Sequence, residues 1–74
     1  MSRYIAPHKT KPSMTVHYGF DKMLPAYFAM EFDEESPDPY PVSDVEGKNA
    51  TAEILTNYEV PRDHFNKLIL DLPF

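Results

Sequence analysis

The sequence contains no cysteine, which excludes disulfide staples, thiolate metal sites and a cysteine nucleophile. Its only glycines, Gly19 and Gly47, are too few for a phosphate-cradling loop or a dinucleotide fingerprint. No apolar run is long enough for a signal-peptide core or a membrane span. The expectation is a soluble, cytoplasmic protein, and the lack of cysteine fits a reducing compartment. Bases are scarce as well. Seven Lys and Arg against twelve Asp and Glu give a net charge of −5, which argues against direct binding to nucleic acid, whose phosphates reward cationic side chains. Residues 31–46 carry Glu31, Asp33, Glu34, Glu35, Asp38, Asp44 and Glu46 and no base, whereas residues 1–20 carry Arg3, Lys9 and Lys11 and no acid.

What is present is aromatic. Five Phe and five Tyr within a 42% hydrophobic composition suffice for a modest core in a single domain of 74 residues. A chain of this size buries only about 60% of its unfolded surface, so its stability is expected to be about 4 to 11 kcal/mol. The segments Thr15 to Asp21 and Ala26 to Asp33 read as the arms of a β-hairpin. In the first, Val16, Tyr18 and Phe20 alternate with polar residues; in the second, Ala26, Phe28, Met30 and Phe32 alternate with Tyr27, Ala29, Glu31 and Asp33. Placing all even positions on one apolar face predicts even-to-even pairing, with Tyr18 opposite Phe28 or Met30. Lys22 to Pro25 forms the turn, and Met23 and Leu24 are expected to fold back onto the core. Gly19 suggests a bulge or a close approach to the backbone.

Residues 1–14 contain Pro7 and Pro12 and read as a flexible N-terminal arm, although Tyr4 and Ile5 could add a short third strand. Residues 15–74 form the domain. Within it, residues 34–48 read as an extended acidic loop with prolines at 37, 39 and 41. Asn49 or Thr51 caps a predicted helix over Ala52 to Tyr58. Pro61 then opens a second over Arg62 to Leu72, whose stripe is Phe65, Leu68, Ile69 and Leu72. A two-stranded sheet is marginal in water without a cover, so the predicted class is α+β in ββαα order, with the hairpin packed against two C-terminal helices.

Catalytic signals are missing. Ser2, Ser13, Ser36 and Ser43 sit in no nucleophile motif, and His8, His17 and His64 have no ligand spacing. The acidic loop lacks the glycine and oxygen-ligand spacing of a calcium loop. The carboxylates near Glu31 lack the concave apolar setting that acid and base work requires. Pro37-Asp38-Pro39-Tyr40 approaches a proline-rich recognition motif but lacks consecutive prolines. Neither cofactor nor metal is therefore expected, and the protein is read as a non-enzyme. The expected role is a protein–protein interaction module acting through the hairpin or the acidic loop, with His17, Tyr27, Glu31, Glu34, Glu35 and Tyr40 as candidate partner-binding residues. One alternative is an acidic inhibitor or decoy competing for a basic, nucleic-acid-binding surface; another, weaker one is a metal-dependent protein or enzyme. The expected state is a monomer or a weak homodimer paired through an uncovered hairpin edge.

Tyr18-Gly19-Phe20-Asp21, Leu24 and Tyr27-Phe28, with Asp71-Leu72-Pro73-Phe74, resemble a set of small uncharacterised bacterial proteins, a Pseudomonas hypothetical protein among them. The resemblance spans the hairpin and the last helix and implies a bacterial, cytoplasmic origin. It carries no site residues.

Overall fold

The computed structural model describes residues 3–74. Its elements are β1 (Tyr4–Pro7), β2 (Met14–Asp21), β3 (Ala26–Asp33), β4 (Ser43–Glu46), α1 (Lys48–Leu55) and α2 (Arg62–Ile69). The strands form one antiparallel sheet in the order β1-β2-β3-β4. This is the expected α+β arrangement of strands followed by helices, with the predicted hairpin as the central pair.

The register of that hairpin corrects the expected pairing. Asp21 pairs directly with Ala26, leaving an even-numbered turn, Lys22 to Pro25, between the arms. An even turn sets even against odd, so Val16 faces Glu31, Tyr18 faces Ala29 and Phe20 faces Tyr27. The physical reason lies in β3, where both sets of alternate positions hold apolar residues. Alternation there does not choose a face, and turn length does. Gly19 pairs in regular register with Phe28, without a bulge. Met23 and Leu24 are exposed at the turn instead of folding back onto the core.

Two kinds of row run across the sheet. Tyr4-Tyr18-Ala29-Val45 and Ala6-Val16-Glu31-Ser43 face the helices, whereas Ile5-His17-Met30-Asp44 and Gly19-Phe28-Glu46 face away. The buried cluster comprises Ala6, Val16, Tyr18, Tyr27, Ala29, Leu55, Tyr58 and Leu68. Phe28, Met30 and Phe32 thus leave the core assigned to them, and Tyr27 and Ala29 enter it. α1 lies over β3 and β4 and against α2.

α1 starts at Lys48, ahead of the predicted Ala52. Gly47, at φ +102°, turns β4 directly into the helix, a backbone angle that a residue with a Cβ rarely adopts. Its N–H donates to the Tyr27 carbonyl (2.8 Å), and its carbonyl accepts from Thr51 N–H (3.0 Å). Thr51 is therefore no cap. It is fully buried, and its Oγ1 has no hydrogen-bond partner among the described residues. An unpaired buried hydroxyl costs stability, so Thr51→Val is expected to raise the unfolding free energy by about 1 kcal/mol, read as a higher urea midpoint at unchanged slope. A lower midpoint would mean that the hydroxyl is partnered in solution.

α2 ends at Ile69, before the predicted Leu72, because Asp71 takes a left-handed conformation at φ +60°. Leu72 N–H reaches back to the Lys67 carbonyl (2.7 Å) and Asp71 N–H to that of Leu68 (3.2 Å), the paired closure of a helix end. Lys48 Nζ lies 3.1 Å from Asp71 Oδ2, tying this end to the start of α1. Of the predicted stripe, Leu68 is buried and Phe65 packs on the core, while Ile69 and Leu72 are exposed.

The N-terminal segment supplies the third strand, β1. Met1 and Ser2, also assigned to the flexible arm, lie outside the described residues. A fourth strand, β4, arises inside the 34–48 segment. There Val45 points to the helices between exposed Asp44 and Glu46 on the other face, an alternation too short to stand out among acids and prolines. The approach to it is a chain of side-chain turns: Asp33 Oδ1 accepts from Glu35 N–H (3.0 Å), Ser36 Oγ from Asp38 N–H (3.2 Å) and Asp38 Oδ1 from Tyr40 N–H (3.0 Å).

Candidate interaction surface

On the helix side Tyr18, Tyr27 and Tyr58 each turn the hydroxyl to a protein partner. Tyr18 OH lies 2.7 Å from His64 Nδ1, whose ring packs against both Tyr4 (centroids 4.3 Å apart) and Phe74 (5.3 Å). Tyr27 OH donates to the Leu72 carbonyl (2.7 Å), and Tyr58 OH to Glu31 Oε1 (2.8 Å). Burial raises the pKa of all three phenols. Tyr18 is pushed up to about 12, with Tyr4 adding a smaller effect. Tyr58 is also raised by its bond to the Glu31 carboxylate and by that negative charge, and Tyr27 by the charge of Asp71. These groups hold their protons and close the core. Among the described residues no group of three or more His, Asp or Glu is placed to hold a metal ion.

Among the described residues no helix lies over the opposite face of the sheet. Its central row is Ile5-His17-Met30-Asp44, flanked by Gly19-Phe28-Glu46 on one side and Pro7-Thr15-Phe32 on the other. Ile5 is 64% exposed, and Phe28, Met30 and Phe32 are each half-buried. His17 packs at a tilt of 57° against Phe32 with centroids 4.6 Å apart, and its Nδ1 accepts from Arg3 Nη2 at 3.0 Å. Burial and then the Arg3 charge lower the His17 pKa against a smaller opposing effect of Glu34, which favours the neutral ring.

Gly19 leaves Phe28 without a cross-strand side chain on β2, and beside it opens a concavity of about 210 Å³. Ala26, Phe28 and Met30 form its floor, with Asp21, Asp44, Glu46 and Arg3 around the rim. A second concavity, of about 410 Å³, lies in the groove between the helices, where Leu55, Val60 and Phe65 are flanked by Lys9, Arg62 and Glu59.

The candidate residues read from the sequence do not assemble into one surface. His17 lies on the helix-free face. Tyr27 is buried on the other, and Glu31 beneath the helices accepts from Tyr58, because the even turn inverts the facing of β3. Glu34 and Glu35 are exposed in the turn after β3, and Tyr40 is exposed further along the loop. Ile5, Phe28, Met30 and Phe32 are missing from that set, and Asp44 and Glu46 enter the sequence reading only as part of the acidic segment 31–46. The signal that could have found them is the parity of the turn: four residues between arms of equal length pair odd with even.

No family model, curated protein or solved structure matches the chain. No helix among the described residues is long and apolar enough to cross a membrane.

Proposed function

We propose that this protein is a binding module, not an enzyme, and that the helix-free face of its sheet receives a protein partner. The observation that carries the reading is that Phe28, Met30 and Phe32, three large apolar side chains in alternate positions of β3, stand half-buried on the sheet face over which no helix lies among the described residues. A small domain has few apolar residues to spare, and a contiguous patch left outside the core is the usual mark of an interaction surface. The His17 ring, tilted against Phe32, extends the patch with a polar edge.

Replacing Met30 at the centre of the face with lysine is expected to abolish recovery of the partner from extract of the native cell, at an unchanged thermal midpoint. Arg62→Glu on the helix side should retain it. Retention by Met30→Lys and loss by Arg62→Glu would overturn the assignment.

The acidic-decoy reading draws support from Asp44 and Glu46 beside the same face. It differs in requiring a partner that nucleic acid displaces and a complex that high salt dissolves. A complex stable to both leaves the interaction module standing alone. The bacterial, cytoplasmic setting implied by the resemblance belongs to the same proposal.

A further inference from the structure

The two edges of the sheet differ. At its Pro7 end β1 is closed by the connection between the helices: Glu59 N–H donates to the Pro7 carbonyl (2.9 Å), Lys9 N–H to that of Asn57 (3.0 Å), and His8 bridges to Tyr58. β4 is the last strand on the other side, with no neighbour beyond it among the described residues. Gly47 N–H donates to the Tyr27 carbonyl, which fixes the phase of the β3–β4 ladder. In an antiparallel pair, inward-bonded and outward-facing residues alternate. Val45 is therefore bonded to Ala29, and the backbone groups of Asp44 and Glu46 face outward. The side chains of these same two residues rise on the helix-free face, beside the apolar floor made by Phe28 and Met30.

From this we infer that β4 is the site at which the partner docks, and that the partner adds an extended segment with lysine or arginine at alternate positions as a fifth strand. The inference rests on the reading of the helix-free face as the binding surface and names the chemistry of what binds there. Outward backbone groups supply hydrogen bonds to any strand, so they set the mode of binding and not its selectivity. The side chains select. A second copy of this chain pairing β4 to β4 would bring acids against acids, which is destabilising across a sheet, whereas a basic strand sets opposite charges against Asp44 and Glu46. The aliphatic stems of these bases would then extend on the same face towards Phe28 and Met30, while the residues between the bases fall on the helix side. The hairpin's own edges are taken by β1 and β4, so its direct pairing with a twin is not the competing mode.

The test uses the full chain and three short peptides of about seven residues: lysine alternating with valine, glutamate alternating with valine, and the lysine peptide N-methylated on the amides that would face β4. Amide shifts of the labelled protein locate binding, and fluorescence anisotropy measures it. The lysine peptide is expected to bind with shifts centred on residues 42–47 and on Phe28 and Met30, and the glutamate peptide not to bind. N-methylation, or the double change Asp44→Lys and Glu46→Lys, should each weaken binding by roughly tenfold or more. Equal binding of the N-methylated peptide would reduce the effect to charge alone and overturn strand addition. Shifts on Ile5, His17 and Phe32 that spare β4 would overturn it while leaving the helix-free face as the binding surface. Failure of that broader reading shows separately, in partner recovery by Met30→Lys.

Discussion

Leu68→Ala is expected to lower the unfolding free energy by about 2 to 5 kcal/mol. Leu68 is 0% exposed and belongs to the buried cluster, so truncation removes apolar contacts and leaves a cavity that the two short helices cannot fully close. For a domain whose size implies a total of about 4 to 11 kcal/mol, that is a large share of its stability. The thermal midpoint should fall by roughly 10 to 30 °C. The neighbouring change Ile69→Ala is the control. The helical pattern treats both residues as parts of one apolar stripe, but Ile69 is 51% exposed and its truncation is expected to stay within about 0.5 kcal/mol. Comparable losses at the two positions, by thermal or urea unfolding, would contradict the observed orientation of α2.

Tyr58→Phe is expected to cost about 1.5 to 3 kcal/mol, because Tyr58 OH donates to Glu31 Oε1 and the half-buried carboxylate loses that donor. The same phenols predict an alkaline transition. Tyr18 and Tyr58 both have folded pKa values above the unfolded value of about 10, Tyr18 reaching about 12. A raised folded pKa means that the unfolded chain loses its phenolic protons first. The stabilisation is complete below about pH 10 and is lost as the pH rises through the folded values. Urea midpoints measured from neutral to strongly alkaline pH should hold steady and then fall above about pH 10. Tyr58→Phe and Tyr18→Phe should each flatten part of the fall. Midpoints in these variants that drop as steeply as in the parent would assign the transition to other groups.

The sequence exposes much of this fold and little of its surface. Alternation in β2 is unambiguous, because only its even positions are strongly apolar, and β2 indeed presents Val16 and Tyr18 to the core. β3 offers Tyr27 and Ala29 on one side and Phe28, Met30 and Phe32 on the other, so composition leaves its facing open and the turn between the arms decides it. That single ambiguity separates His17 from Tyr27 and Glu31 and hides the apolar face. α2 is legible up to Ile69, but its ending depends on a left-handed Asp71, where glycine would have been the readable signal. β4 is invisible to periodicity, since only Val45 of its four residues is apolar. Its strand character comes from pairing with β3, a tertiary effect.

That the helix-free face is the docking surface is tested most directly by site-specific photo-crosslinking in the native cell. A benzophenone amino acid is placed at position 32 on the open face or, in a separate chain, at position 65 between the helices. A discrete covalent adduct from position 32, with none from position 65, is the predicted result. Adducts from position 65 alone would contradict it.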